Sequence, residues 1–491
     1  MPRAKAVEER SQKMRIAIIG GGIAGLAAAY ELEKARMAGA PAEYTLFEQR
    51  ERLGGSLSSE IVGGAVLERG PDSFITEKTA AAELCRELGL GEELVPSNDE
   101  ARKTHIVVHN RLVELPDGLM FLVPTKLVPT AFTPLFSLPT KARMALELLR
   151  RPHPNGHDQS VAELVERHFG QEAVDRLADP LLSGIYGGDA TQLSAQTVLP
   201  RMVEMETQYG SLTRGMLAAH RRMAKSPSRG TNGGGGIFTA LRGGMSQLVD
   251  ALVARLEPSA LRLSTAVSEL RRTYDGWSVV SGDARESYDA VILATPAWAA
   301  GELLTAVDAE LGEDLRTIPY SSSITINLVY DENRLGDLPS GFGFLVPAVE
   351  GRAMLASTFV HRKFLGRTPP GKAVFRAFLG GANRAALLEE SDEKLIAIVR
   401  RELSEILGAK AVPPNVAPEH AQVSRWPRAM AQYAVGHKAR MERIEARASA
   451  LPGLRLVGNA YEGIGVPDCI RMGRRAAQEL VETFVPAVGV E

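Results

Sequence analysis

Cysteine is nearly missing from this chain: Cys85 and Cys469 are the only two in 491 residues. They form no CxxC and no cluster, which excludes a disulfide framework and a cysteine-built zinc site. The low count fits a reducing compartment, and the cytoplasm is the expected location. Aromatic residues make up only 5%. Neither sign of charge dominates, with 57 Lys and Arg against 59 Asp and Glu. A nucleic-acid partner would leave a basic footprint, and none is present. Residues 1–15 are charged and lack an apolar core, so no secretory signal is expected there. No run reaches the roughly 18 apolar residues of a spanning helix. The nearest, Leu119 to Pro139, is broken by Pro124, Lys126, Pro129 and Pro134. It reads as a surface segment with short helices; the sharper alternative is an apolar patch that meets a membrane, peripherally on its inner face.

What is present is an ordinary folded composition, 45% apolar and 24% charged, with length for about three structural units. Arg15–Ile19 is a short apolar run ending in glycines, a buried parallel strand. Gly20 to Ala35 reads as a helix and Tyr44 to Glu48 as a second strand, a βαβ unit. From Thr76 to Met223 the pattern is mostly helical, with Ser160–Arg167 and Gln171–Leu177 as helices. Ser226 to Gly236 is a glycine-rich loop. Strands dominate Leu261 to Leu293, and Ser323–Tyr330 and Val374–Leu379 are further strands. Glu393–Leu407 is an amphipathic helix. Leu454–Val457 is a short strand, followed by a glycine turn and a helix over Arg471–Phe484.

Gly20-Gly21-Gly22-Ile23-Ala24-Gly25 contains G-x-G-x-x-G between that first strand and helix. Gly20 permits the tight turn, Gly22 lets backbone approach a pyrophosphate, and Gly25 lets helix and strand pack. The helix N-terminus offers its N–H groups to phosphate. Glu48 follows Gly25 by 23 residues, the place of a ribose-binding acid, and its charge argues against a 2′-phosphate. Arg52-Leu53-Gly54-Gly55 comes next. The second glycine turn at Gly458 and the strand ending Leu293-Ala294-Thr295-Pro296 complete a pattern that favours FAD over NAD.

Taken with Gly70-Pro71-Asp72-Ser73-Phe74, the run Ser183 to Asp189, Leu241 to Met245, Gly341 to Pro347 and Gly458 to Ile470, these residues resemble the oxygen-dependent protoporphyrinogen and coproporphyrinogen oxidases of haem biosynthesis, over nearly the whole chain. The resemblance implies an α/β architecture: a Rossmann-like FAD-binding domain with a mixed-sheet substrate domain and a mostly helical domain. On this chain they would take residues 14–95, 236–300 and 450–487, then 301–449, then 96–225. It implies non-covalent FAD held by Gly20, Gly22, Gly25, Glu48, Arg52, Gly54, Gly55, Val267, Trp426, Gly458, Val466, Pro467 and Asp468. It further implies a substrate pocket with Phe342, Leu345 and Gly184, and a six-electron oxidation with dioxygen as acceptor and hydrogen peroxide as product. Such chemistry needs no catalytic acid–base pair and no metal, and no triad or dyad is visible. The resemblance also raises a haem-pathway ferrochelatase as a partner.

Which porphyrinogen is suggested by two departures. Many protoporphyrinogen oxidases carry arginine where this chain has Thr104, beside Arg102 and Lys103. Lys78 matches a lysine of the Gram-positive coproporphyrinogen oxidases. Four propionates instead of two call for more cationic partners, so coproporphyrinogen III is favoured over protoporphyrinogen IX. An amine oxidase, a carotenoid desaturase and a flavin-free binding protein of the same fold stay open as alternatives.

Overall fold

The computed structural model describes residues 13–116, 119–120, 122–124, 126–152, 157–225 and 236–484. Apart from Gly236, the glycine-rich stretch expected to be a loop lies outside them. The chain separates into two compact units. The first comprises the chain up to Gly55, Leu248–Thr317 and the part from Arg443 onward; the second comprises Ser56–Gln247 and Ile318–Glu442.

The first unit is built on a parallel sheet. β1 (Met14–Ile19) leads into α1 (Ile23–Met37) and then β2 (Ala42–Phe47). The strand order is Leu261–Arg262, β2, β1, Ala290–Leu293, Leu454–Leu456. Every pairing is parallel, with Ile18 of β1 opposite Leu46 on one side and Ile292 on the other. Strands covered on both faces need apolar residues throughout rather than in alternation, and Ile16, Ala17 and Ile18 are fully buried. The closing helix, Val466–Phe484, lies against α1 at a point where Gly473 meets the Ala24 carbonyl too closely for any side chain. From β1 the chain moves outward on one side through β2 and returns on the other at Ala290–Leu293. The crevice at the carboxyl ends of β1 and Ala290–Leu293 is therefore the topological switch point.

The second unit carries a seven-stranded mixed sheet in the order His420–Ala431, Tyr320–Asp331, Lys372–Gly380, Met354–Phe359, Gly343–Leu345, Thr104–Val108, Arg111–Glu114. One face packs Ile324, Ile326, Phe344, Phe359 and Phe375 against Leu395, Val399 and Leu403 of the helix Asp392–Leu407. A separate cluster, including Val161, Leu164, Phe169, Leu177 and Leu182, gathers the short helices of the same unit. The helix Val161–Phe169 starts on a capping box formed by Ser160 and Glu163, a sequence signature of a helix N-terminus.

Two expectations need correction. The stretch expected to be helical from Thr76 contains the hairpin Thr104–Val108/Arg111–Glu114, which joins the large sheet. His109 and Asn110 turn it, with φ of 50° and 60°, as a two-residue hairpin of this twist requires. The helix expected over Gln171–Leu177 is one turn, Gln171–Ala173, followed by a π-helical turn at Val174–Ala178. Leu119–Pro139 does contain a short helix, Leu127–Phe132. Among the described residues no helix is long and apolar enough to cross a membrane.

Two histidines of the second unit, His437 buried and His361 half-buried, lack full hydrogen bonding. His437 stacks on Tyr433 with ring centroids 4.3 Å apart, and neither of its ring nitrogens has a partner; His361 lacks one at Nε2. Burial pushes both pKa values down to about 4, so the folded protein holds them neutral. The unfolded chain takes up these protons below about pH 6.5. The stability they support is therefore intact above that pH and is lost as pH falls towards 4. Thermal melts should show a falling Tm between about pH 7 and pH 5, and His437→Phe should lose part of that fall. An unchanged pH slope in the variant would show that this ring does not couple to unfolding.

Candidate functional site

The switch-point crevice of the first unit is lined by backbone rather than side chains. Gly20 turns with φ of 108°, and a Cβ there would meet the Ala294 carbonyl at 2.6 Å. A Cβ on Gly25 would overlap the Gly20 carbonyl. Gly22 differs: nothing lies within 4 Å of where its Cβ would be. It is the N-cap of α1, no side chain caps that helix, and no acid occupies its first turn. A bare helix N-terminus facing open space suits a phosphate.

Glu48 stands just past the end of β2, buried. Its Oε2 accepts from the Gly21 N–H at 2.8 Å and its Oε1 from the Arg50 N–H at 2.9 Å. A carboxylate has about four acceptor positions, so capacity remains for ribose hydroxyls. Gly54 donates its N–H to the Gly21 carbonyl at 2.8 Å and bridges to Gly22. A Cβ on Gly55 would sit 3.1 Å from the Gly22 Cα. Arg52 donates to the Gly55 carbonyl at 2.6 Å. Thr265 donates its N–H to the Glu48 carbonyl at 2.8 Å, which brings Val267, two residues on, to the same edge. Gly458 has φ of 138° and open space beside it, with Thr295 O the nearest atom at 3.8 Å. Thr295, part of the strand-end pattern in the sequence but not expected as a cofactor contact, has a buried hydroxyl with no hydrogen-bond partner. Val466 and Pro467 open the closing helix, and the Asp468 carboxylate accepts from the Gly465 N–H at 3.3 Å. A bare helix N-terminus, glycine turns, an acid with spare acceptors and an orphaned hydroxyl together fit a bound dinucleotide.

The remaining residues belong to the second unit. Trp426, on His420–Ala431, donates its indole N–H to the Arg69 carbonyl at 2.7 Å. Leu345 is half-buried, and its Cδ2 lies 3.2 Å from where a Cβ on Gly184 would be. Gly184 sits on the helix Asp179–Tyr186, so this helix and the sheet pack closely where Leu345 meets it. Phe342 is buried, donating its N–H to Lys103 O at 2.9 Å and accepting from the Phe359 N–H at 2.7 Å. The aromatic in line with Leu345 is another one. Leu345 pairs with Ala356, and Ala356 with Phe378, which is half-buried on the face opposite the Phe344–Phe375 core. Only the register of three strands reveals it. Lys78 stands exposed two residues before the helix Ala80–Glu87. Thr104 lies opposite Gly343, while Lys103 pairs with Glu114 at 3.0 Å.

The same sheet face holds a backbone strap. Asn327 donates to Glu68 O, Thr325 and Trp426 to Arg69 O, Arg376 to Gly70 O and Arg367 to Asp72 O. Lys363 and Arg376 approach the Asp72 carboxylate at 3.2 and 3.4 Å. Burial alone would raise the Asp72 pKa, but these two cations hold it well below the usual carboxylate range.

This architecture is that of a flavoprotein oxidoreductase. The model of the flavin-containing amine oxidoreductase family matches residues 23–481, and the chain belongs to that family. Its relatives narrow the branch. Coproporphyrinogen III oxidase of Bacillus subtilis (strain 168) is 34% identical over 95% of this chain and 98% of its own. The chloroplastic protoporphyrinogen oxidase 1 of Spinacia oleracea is 28% identical over 95% of this chain and 84% of its own. A crystal structure named for a protoporphyrinogen oxidase of Exiguobacterium sp. 255-15 superimposes with a TM-score of 0.83 at 31% identity, covering 96% of this chain and 99% of that one. The resemblance read from the motifs is borne out at this level. The cofactor is a flavin, and the cradle fits its dinucleotide form, FAD.

The cradle distinguishes two glycines. Gly25→Ala should fail to fold, because the methyl collides with the Gly20 carbonyl. Gly22→Ala should fold, with circular dichroism like that of the parent, and lose most of its bound flavin absorbance. Full flavin content in Gly22→Ala would contradict the assignment of that space to the pyrophosphate.

Proposed function

We propose that this protein oxidises a porphyrinogen to a porphyrin, coproporphyrinogen III to coproporphyrin III ahead of protoporphyrinogen IX, with dioxygen as acceptor and hydrogen peroxide as product. The observation that carries the reading is the 34% identity, over 95% of the chain, to the coproporphyrinogen III oxidase of Bacillus subtilis; the apolar surface where Leu345 meets Gly184, with Phe378 in register beside it, is the proposed substrate wall. An apolar surface that presents one aliphatic and one aromatic side chain suits a pyrrole ring. Bound FAD supplies a hydride acceptor. The chain's own residues are left to orient the macrocycle and exclude water. Lys78, exposed on a loop of the same unit, is the proposed partner of one propionate. The product is a metal-free porphyrin that an iron-inserting ferrochelatase can accept, and such an enzyme is the partner we propose.

The test is porphyrin fluorescence under air with each porphyrinogen in turn. We expect faster turnover of coproporphyrinogen III. Gly184→Leu, which would displace Leu345, should lower kcat/KM by about tenfold or more while flavin content stays unchanged. Turnover of neither substrate by the flavin-loaded protein would overturn the reading.

A second observation bears on location. On the helix Leu138–Glu147, Thr140, Met144 and Glu147 face inward. Leu138, Ala142, Ala145 and Leu146 are exposed, as is Leu149 just beyond, and Phe132 on the preceding helix is 85% exposed. Lys126, Lys141, Arg143, Arg150 and Arg151 surround them in sequence, and the one acid among residues 126–151 is the buried Glu147. We propose that this face rests peripherally on an anionic lipid surface. The protein should sediment with phosphatidylglycerol vesicles and not with phosphatidylcholine vesicles, and Leu146→Asp should weaken that association. Equal behaviour with both lipids would remove the proposal.

A further inference from the structure

Among the described residues, four that are not glycine have positive φ: His109, Asn110, Ser264 and Arg428. The first two form a hairpin turn, and Ser264 lies in the loop after Leu261–Arg262. Arg428 alone, at φ of 44°, lies inside a strand, His420–Ala431. Its place there follows from the sequence Trp426-Pro427-Arg428. Trp426 pairs with Ser323 and Met430 with Ser321, so Pro427, Arg428 and Ala429 together stand opposite Ser322 alone. Pro427 has no N–H to give a ladder and suits such a bulge. The Arg428 N–H donates instead to the Ser322 hydroxyl at 2.9 Å.

A bulge bends a strand and re-aims a side chain. If chain reversal were its only task, glycine would serve without strain. Here the position carries a long cationic side chain, exposed. The bulge is also tied to the helix that bears Gly184. Gln432 donates to the Tyr186 carbonyl at 2.8 Å and to the Ser321 hydroxyl at 3.0 Å. The Ser322 carbonyl accepts from Gly381 at 2.8 Å, and the Gly187 carbonyl from Ala382 at 2.9 Å. Gly187 closes the helix one turn after Gly184. The strained arginine thus stands on the framework that holds Gly184 against Leu345.

We propose that Arg428 binds a carboxylate of the porphyrinogen and sets the preference for the substrate with more carboxylates; this rests on the function proposed above. Guanidinium and carboxylate match in a planar, paired geometry. The strain is kept because the side chain is needed where the bulge puts it.

The experiment compares holoenzyme with Arg428, Arg428→Gly and Arg428→Lys. Glycine relieves the backbone, so Arg428→Gly should keep or raise Tm. It should also raise KM for coproporphyrinogen III about fivefold or more, with kcat within about twofold. KM for protoporphyrinogen IX, with two propionates, should move less, and Arg428→Lys should recover part of the loss. An unchanged KM in Arg428→Gly, or a lowered Tm, makes the residue structural and overturns the inference alone. A wild-type protein that oxidises neither substrate overturns the proposed function, and this inference with it.

Discussion

The turn between β1 and α1 can close only if two positions carry no side chain. Gly25 rests on the carbonyl of Gly20, and Gly20 on the carbonyl of Ala294. Much of the first unit's site follows from that approach. It fixes the angle at which α1 leaves the sheet and turns its uncapped end toward the switch-point crevice. It also places the Gly21 N–H within reach of Glu48, and it leaves Gly22 as the surface on which Gly54 and Gly55 lie. A dinucleotide site made this way is rigid because it is backbone, with few rotamers to freeze on binding.

The second unit solves a different problem, that of holding an irregular strap on a sheet face. The strap from Glu68 to Asp72 presents its carbonyls to side chains of the sheet rather than to a neighbouring strand. Beneath it, Lys363, Arg367 and Arg376 meet Glu68 and Asp72 in a buried cluster. Three cations against two anions would be costly in a low dielectric. The carbonyls of Gly70 and Asp72 point at the guanidiniums and offset the excess. Loss of either carboxylate would leave buried cations unpaired.

Much of this was legible in the sequence. The βαβ start, the glycine turns and Glu48 leave marks because a positive φ or a close approach admits few residue types. The strands Tyr320–Asp331 and Lys372–Gly380 announced themselves by composition. What stayed hidden was set by distant partners. Phe378 acquires meaning only once Leu345, Ala356 and Phe378 are in register. Asp72 meets Lys363 and Arg376 from far along the chain. The hairpin at His109–Asn110 was missed although its signal was present: two residues tolerant of left-handed backbone between β-branched runs. The π-turn after Gln171 left no local mark at all.

The contact of Gly473 with Ala24 has a bearing on how the protein is made. The packing partner of α1 follows it in the chain by more than four hundred residues. The edge strand Leu454–Leu456 is equally late. Until then one side of the nascent sheet and the small-residue face of α1 are uncovered. A nascent chain that has not yet reached Leu454 should therefore be a client of chaperones rather than a folded fragment, and the cradle cannot be completed before that strand and the helix after it are made.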